Sequence, residues 1–343
     1  AILVWVSPTI QAFFLWQALV SVATLAILAG ATYSCLAPKE RPARFSMDAL
    51  RGVWRFAGGM LGITFLALLL TQVDKILLSK LLTLSEFGFY TLAAVVAGGL
   101  YTMVSPTTQA WFPRLCQLHA AANHAGLVRA YHQGAQLVTV MMGSAALVLI
   151  VFSETFLHLW TQNVGLAQRT APLLSLLVLG NLLNGLMSIP YQAQLAHGWT
   201  GLAVRINIVA VLVIIPAILW AVPRYGAEGA AWVWVSLNAG YVLIGIHFMY
   251  RRILTTEKWH WYVQDLLQPL LSTLLVIVAI KWILPTPNSV ITQLGTLAIV
   301  SIAAVATACL AANRVRQWIW TFFTQRFQPR KSTSVANQPS NDI

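Results

Sequence analysis

Long apolar runs recur along this chain at a spacing that leaves room for few architectures. Segments of the roughly 20 residues needed to cross the hydrocarbon core of a bilayer occur at residues 12–36, 53–73 (continuing to about 82), 88–112, 133–153, 171–191, 202–222, 229–250, 266–284 and 290–311. Residues 1–6 read as the end of one further helix, closed by Ser7-Pro8. The expected fold is therefore all-α, a polytopic transmembrane helix bundle of nine complete helices and one partial one. The chain starts at Ala1 inside an apolar run and shows no signal-peptide pattern. The expectation is a piece of a larger bundle whose earlier helices are missing.

Composition agrees with this solvent. Only 9% of the 343 residues are charged and 58% are hydrophobic, with a mean hydropathy of +0.73, where a soluble domain carries roughly 25% charged residues. Fourteen Trp and nine Tyr suit the bilayer interface. The net charge of +12 would point to nucleic acid in a soluble protein; here it needs no such partner, because loops on the cytoplasmic side are rich in Lys and Arg. The alternate loops 37–55, 113–130, 193–205 and 251–265, with the carboxyl tail, hold 16 of the 21 Lys and Arg. The opposite ends hold Lys75, Lys80, Arg169, Arg224 and Lys281. The bias predicts a cytoplasmic carboxyl terminus and supports the helix count, since one missed span would scramble the alternation. Residues 312–343 turn polar and are expected to form a solvated tail.

Few residues offer chemistry. Cys35, Cys116 and Cys309 lie far apart, with no metal motif and no disulfide framework. His119, His124 and His132 read as solvated loop histidines without zinc spacing. Neither a phosphate-binding glycine loop nor a hydrolase elbow occurs, so no cofactor or metal is expected. Pro106, Pro172, Pro190 and Pro216 fall in or near the spans, where kinks are tolerated if neighbours satisfy the freed backbone groups.

The stretch from Gly58 to Tyr90 is the informative one. A helical count puts Ile63, Leu66, Leu69, Leu70, Val73, Ile76 and Leu77 on one side, and Thr64, Thr71, Gln72, Asp74, Lys75 and Ser79 on the other. Charges at membrane depth are costly, so Asp74 and Lys75 must pair, line a wet cavity or sit near the interface. Asp74 is the one acidic residue placed at appreciable depth. Gln109, Asn181, Asn184, Gln192, Asn207 and Asn238 either line the same cavity or act as interhelical hydrogen bonds. Arg114, beyond Pro113, either meets a phosphate at the cytoplasmic mouth or sets topology. Arg205 reads the same way, and Lys281 as a snorkelling end residue.

Gln72-Val73-Asp74-Lys75-Ile76-Leu77-Leu78-Ser79, followed by Phe87-Gly88-Phe89-Tyr90-Thr91-Leu92-Ala93, resembles the polysaccharide and O-antigen flippases of the multidrug/oligosaccharidyl-lipid/polysaccharide exporter superfamily. Pro113-Arg114-Leu115 and Gly226-Ala227-Glu228-Gly229-Ala230-Ala231 extend the likeness, and the Tyr225-Gly226 opening echoes Phe87-Gly88 as a faint internal repeat. The resemblance implies the remnant of a 12–14-helix exporter fold. Residues 1–36 would end the first half-bundle, 37–52 form a cytoplasmic linker, 53–250 the second six-helix half, 251–311 two additional helices and 312–343 the cytoplasmic tail. It further implies a bacterial inner-membrane flippase moving an undecaprenyl-pyrophosphate-linked oligosaccharide by alternating access. Gln72, Asp74, Lys75, Gln109 and Arg114 are then the candidate cavity residues, with membrane lipid and the glycan polymerase and ligase machinery as partners. The alternatives are a cation-coupled drug exporter or lipid II flippase of the same fold and, from a different class, a membrane glycan polymerase. The short internal loops and only nine Asp and Glu weigh against that enzyme.

Overall fold

A computed structural model describes residues 9–35, 46–284 and 289–327. The partial helix over 1–6, most of the 37–52 linker and the end of the tail lie outside the described residues. The chain divides into two units, Ala1–Gly52 and Val53–Ile343. Within the first, α1 spans Ile10–Cys35 and is apolar enough to cross a bilayer. The second carries α2 (Met47–Leu81, starting just before it), α3 (Leu84–Ala120), α4 (His124–Val151), α5 (Ser153–Thr161), α6 (Val164–Leu186), α7 (Ser188–Ala196), α8 (Gly201–Tyr250), α9 (Lys258–Ile283), α10 (Val290–Ala311) and α11 (Asn313–Phe327). The protein is an all-α polytopic helix bundle.

Among the described residues eight spans are long and apolar enough to cross a membrane, with α6 and α7 forming one of them. The expected crossings 202–222 and 229–250 both fall within α8. Its 50 residues would reach about 75 Å at 1.5 Å per residue, more than twice a hydrocarbon core. Gly226 resolves the excess: φ 59° and ψ −145° reverse the chain in a conformation that only glycine adopts without strain. Residues 201–225 and 227–250 then run antiparallel, and Tyr241 on the second arm donates a 3.3 Å hydrogen bond to Oδ1 of Asn207 on the first.

Short, capped connections set the remaining directions. Thr83 and Glu86 form a reciprocal capping box at the start of α3, the Thr83 hydroxyl accepting the Glu86 N–H and the Glu86 carboxylate accepting the Thr83 N–H. Two of the orphan amides at the helix start are thereby satisfied. Asn123 caps α4 and Asn163 caps α6. Two to four residues separate α2 from α3, α3 from α4, α5 from α6 and α7 from α8, so these neighbours fold back on one another. The α6–α7 break falls at Met187, where Pro190 has no N–H for the Leu186 carbonyl.

Lipid is as apolar as the side chains it would replace, so packing rather than water exclusion holds such helices together. Small buried residues make the close approaches: Ala93 and Ala97 on α3, Ala167 and Gly180 on α6, Ala230 and Ala231 on α8. A Cβ on Gly180 would stand 2.4 Å from Cδ1 of Trp234, so α8 could not seat as closely. Outward-facing Leu61, Phe65, Leu68, Leu212 and Leu243 are exposed, as a lipid-contacting surface requires. Leu147 and Val148 of α4 pack with Ile277 of α9 and with Val300 and Ala304 of α10.

Two details were not anticipated. Part of the polar tail is helical: α11 seats Val315 against Val140 and Ala308. Among the described residues three π turns interrupt the helices, at Thr139–Gly143, Tyr241–Gly245 and Trp261–Leu267.

Candidate functional site

Helix α2 turns one stripe of side chains towards α3, α6 and α8. Ile63, Ala67, Leu70 and Asp74 follow one another at three- and four-residue steps, with Thr64, Thr71 and Lys75 beside them. Opposite stands a stripe of α3, Phe87, Tyr90, Ala94, Gly98 and Tyr101, at the same spacing. Asn181 and Asn184 of α6, Tyr191 of α7 and Asn207, Trp234 and Tyr241 of α8 close a cavity of about 880 Å³.

Charge is confined to one end of it. Oδ1 of Asp74 accepts the Lys75 backbone N–H at 2.7 Å and Oδ2 accepts the Tyr90 hydroxyl at 3.5 Å. Tyr90 is buried and Lys75 exposed. Among the described residues no hydrogen bond or ion pair engages the Lys75 ammonium, so a cation borders the cavity beside Asp74 without a direct bond to it. The rest of the wall is neutral and polar. Tyr101 donates to Oδ1 of Asn184 at 3.1 Å, Asn184 donates to Asn238 at 2.7 Å and Trp234 Nε1 donates to Asn181 at 2.9 Å.

The structure separates the sequence candidates. Asp74 and Lys75 line the cavity, with Asn181, Asn184 and Asn207. Gln72 is exposed and outside it: two residues from Asp74, it lies about 160° around the helix, so the two never shared a face. Gln109 is exposed and donates to the Ser105 hydroxyl at 2.9 Å, and Arg114 is exposed beyond the cavity. Fully buried Asn238 bridges Asn184 to the Trp234 carbonyl, which is interhelical bonding rather than lining. Arg205 borders a different hollow of about 1020 Å³ between the arms of α8, walled mainly by aliphatic and aromatic residues such as Val209, Val213, Trp232 and Phe248. That hollow is larger and mostly apolar, with Arg205, Glu228 and Ser236 among its few polar lining residues. Lys281 donates to the Val151 carbonyl at 2.9 Å. Tyr90, Tyr101 and Tyr241 were not among the cavity candidates, although the spacing of Tyr90 and Tyr101 on α3 is visible in the sequence.

The histidine reading needs correcting for His132. Helix α4 starts at His124 rather than near 133, which places His132 two turns inside, where it is 4% exposed. Its Nδ1 hydrogen-bonds Oδ2 of Asp265 and its Nε2 lies 3.0 Å from Oε2 of Glu257. Asp265, 1% exposed, also accepts from Gln136 at 2.9 Å, and Gln136 accepts the Arg314 backbone N–H at 2.8 Å. Asp265, read from the sequence as a loop residue, is thus an acid enclosed by protein. Burial works to raise the Glu257 carboxyl, but its hydrogen bonds to His132 and Thr256 hold it below the ordinary glutamate range. His119 and His124 are exposed as expected, and the His119 ring centroid lies 4.1 Å from that of His197.

Among the described residues no cluster of His, Cys, Asp or Glu is arranged to hold a metal ion. Residues 2–163 of the chain match the model of a family described as polysaccharide biosynthesis protein, in agreement with the flippase-type likeness of the Asp74-Lys75 and Gly88-Phe89-Tyr90 motifs. No curated protein matches the chain.

Proposed function

From the match to a polysaccharide biosynthesis family we infer that this multi-pass membrane protein is a flippase, moving a lipid-linked oligosaccharide from the cytoplasmic to the outer leaflet of a bacterial inner membrane. One observation carries the reading: a polar cavity within a helix bundle, with the Lys75 ammonium beside Asp74 at one end. A pyrophosphate cannot enter hydrocarbon unaided, because desolvating its charge costs far more than a neutral group does. Lys75 offsets that cost by a charge-assisted contact. Asp74, held by Tyr90 and by the Lys75 backbone, keeps the local charge near zero when the cavity is empty. The neutral amides and tyrosines beyond suit a sugar headgroup, and the apolar outer faces suit its lipid.

Alternating access follows if α2 and α3 move against α6–α8, opening the cavity first to one side and then to the other. The 16-to-5 bias in Lys and Arg supports a cytoplasmic carboxyl terminus, and a polymerase and ligase would receive the product on the opposite, outer leaflet. Reconstitution in proteoliposomes with an undecaprenyl-pyrophosphate oligosaccharide tests the reading. Translocation is expected, with loss of roughly tenfold or more in Lys75→Ala, given the ~1.5–3 kcal/mol of a charged hydrogen bond. Unchanged translocation in both Lys75→Ala and Asp74→Ala would overturn the site.

A further inference from the structure

A small annex opens off the main cavity where α7 gives way to α8. Its volume is about 210 Å³, and it shares Asn184, Tyr191, Asn207 and Tyr241 with the larger space. Ser188 and Gln194 complete its polar wall. Ser188, Tyr191 and Gln194 recur every three residues on α7 and so share a face. None of the lining residues is charged.

Gln194 is the anomaly. It is 4% exposed, and its side-chain carbonyl is buried without a hydrogen-bond partner. Buried polar groups are paired in the great majority of cases, and an orphan calls for an explanation. Around it stand further groups with spare capacity. Oδ1 of Asn207 accepts from Tyr241, which leaves its two amide hydrogens without an acceptor among the described residues. The hydroxyls of Ser188 and Tyr191 likewise make no hydrogen bond there.

We propose that this annex is a subsite for a single neutral pyranose ring. The inference rests on the flippase reading for its biological sense, and on the donor and acceptor set for its chemistry. A phosphate or carboxylate would find no cation in the annex, and an amine no carboxylate. An apolar guest would leave the Gln194 and Asn207 amides unpaired, which a buried site penalises. A sugar ring carries hydroxyls that donate and accept around its whole edge, and matches both amides. Tyr191 and Tyr241 supply apolar surface for its C–H faces. Rotation of the Gln194 terminal amide about its soft last torsion turns its oxygen or its nitrogen towards the guest. The lipid-linked sugar would then lie along the cavity, its phosphates near Lys75 and one ring in the annex.

Saturation-transfer NMR on the purified chain in detergent tests this, using methyl glucoside, methyl galactoside, rhamnose and N-acetylglucosamine as probes and cyclohexanol as the apolar control. Transfer to at least one sugar and not to cyclohexanol is expected. Gln194→Leu and Asn207→Ala should each weaken it by roughly tenfold, the loss of about one hydrogen bond in a dry site, while Gln117→Leu on the exposed face of α3 leaves it unchanged. Asn207 is only half-buried, so its variant keeps the test alive if Gln194→Leu does not fold. Absence of transfer to all four sugars, or transfer unaltered in the folded variants, would overturn the annex. The two readings fail separately. Sugar binding without lipid translocation removes the flippase and keeps the subsite, whereas translocation with no sugar binding removes the subsite alone.

Discussion

Replacing Asp265 by Leu takes away a carboxylate that two buried donors share. Nδ1 of His132 and Nε2 of Gln136 both bond to it, and the side chains of His132 and Asp265 are 5% and 1% exposed. Neither donor can reach water in its place. Each orphaned neutral donor costs about 1–3 kcal/mol, and breaking a buried charged pair from one side costs about 3–5 kcal/mol. The expected loss for Asp265→Leu is therefore about 3–5 kcal/mol. His132→Leu should lose a similar amount, because it strips Asp265 of one donor and Glu257 of its 3.0 Å contact. The double variant His132→Leu/Asp265→Leu should lose much less than the sum, since no buried charge remains unpaired. Side-chain hydrogen bonds between membrane helices couple by only about 0.6 kcal/mol on average, because the unfolded chain finds other partners. A buried charged pair two turns inside its helices has no such substitute in lipid, so a coupling of about 2 kcal/mol is expected. Unfolding by SDS titration in mixed micelles, followed by tryptophan fluorescence, gives all four free energies. A coupling of about 0.6 kcal/mol or less would refute the argument and reduce the cluster to ordinary interhelical bonding.

Gly226→Ala places a Cβ at φ 59° and should cost about 1–3 kcal/mol, read in the same titration. Thr83→Ala removes the cap of α3 and should cost about 1 kcal/mol, with faster hydrogen exchange confined to the first turn of that helix. Acid should loosen the loop at residues 251–257. The Glu257 carboxyl sits below its ordinary range, so its stabilisation is fully present above that range and is lost as pH falls through the depressed value. Fluorescence of the buried Trp261 should change over that acid interval and hold steady from neutrality down to the ordinary glutamate range; Glu257→Gln should abolish the transition.

The helices were legible because lipid imposes one rule on every span, and a run of about 20 apolar residues satisfies it in few ways. The candidate site was half legible. Asp74 and Lys75 stand out because charge is rare at that depth, but Gln72 was grouped with them by polarity when its angle on the helix places it elsewhere. His132 and Asp265 were hidden for a different reason. Polar helix starts read as loops on hydropathy alone, so α4 and α9 seemed to begin at 133 and 266 rather than at His124 and Lys258. Gln194 carries no sequence signal apart from its three-residue spacing from Tyr191. Its lack of a partner emerges only when α7 is packed.

The three π turns have a bearing on how variation in this chain should be read. Each inserts one residue beyond what an α-helix would use, and so advances the side-chain direction by about 100°. Tyr241 opens one such turn and Asp265 lies inside another. A tolerance map built by substituting every position would show the usual helical rhythm up to residues 139, 241 and 261, then a jump in phase. Deleting one residue within such a turn restores an unbroken α-helix and leaves the far half facing as before, whereas a deletion in the regular part of the same helix swings the far half round by that angle. Deletions therefore act as rotations everywhere but in these turns, and their effects should be judged by which face they turn to the cavity.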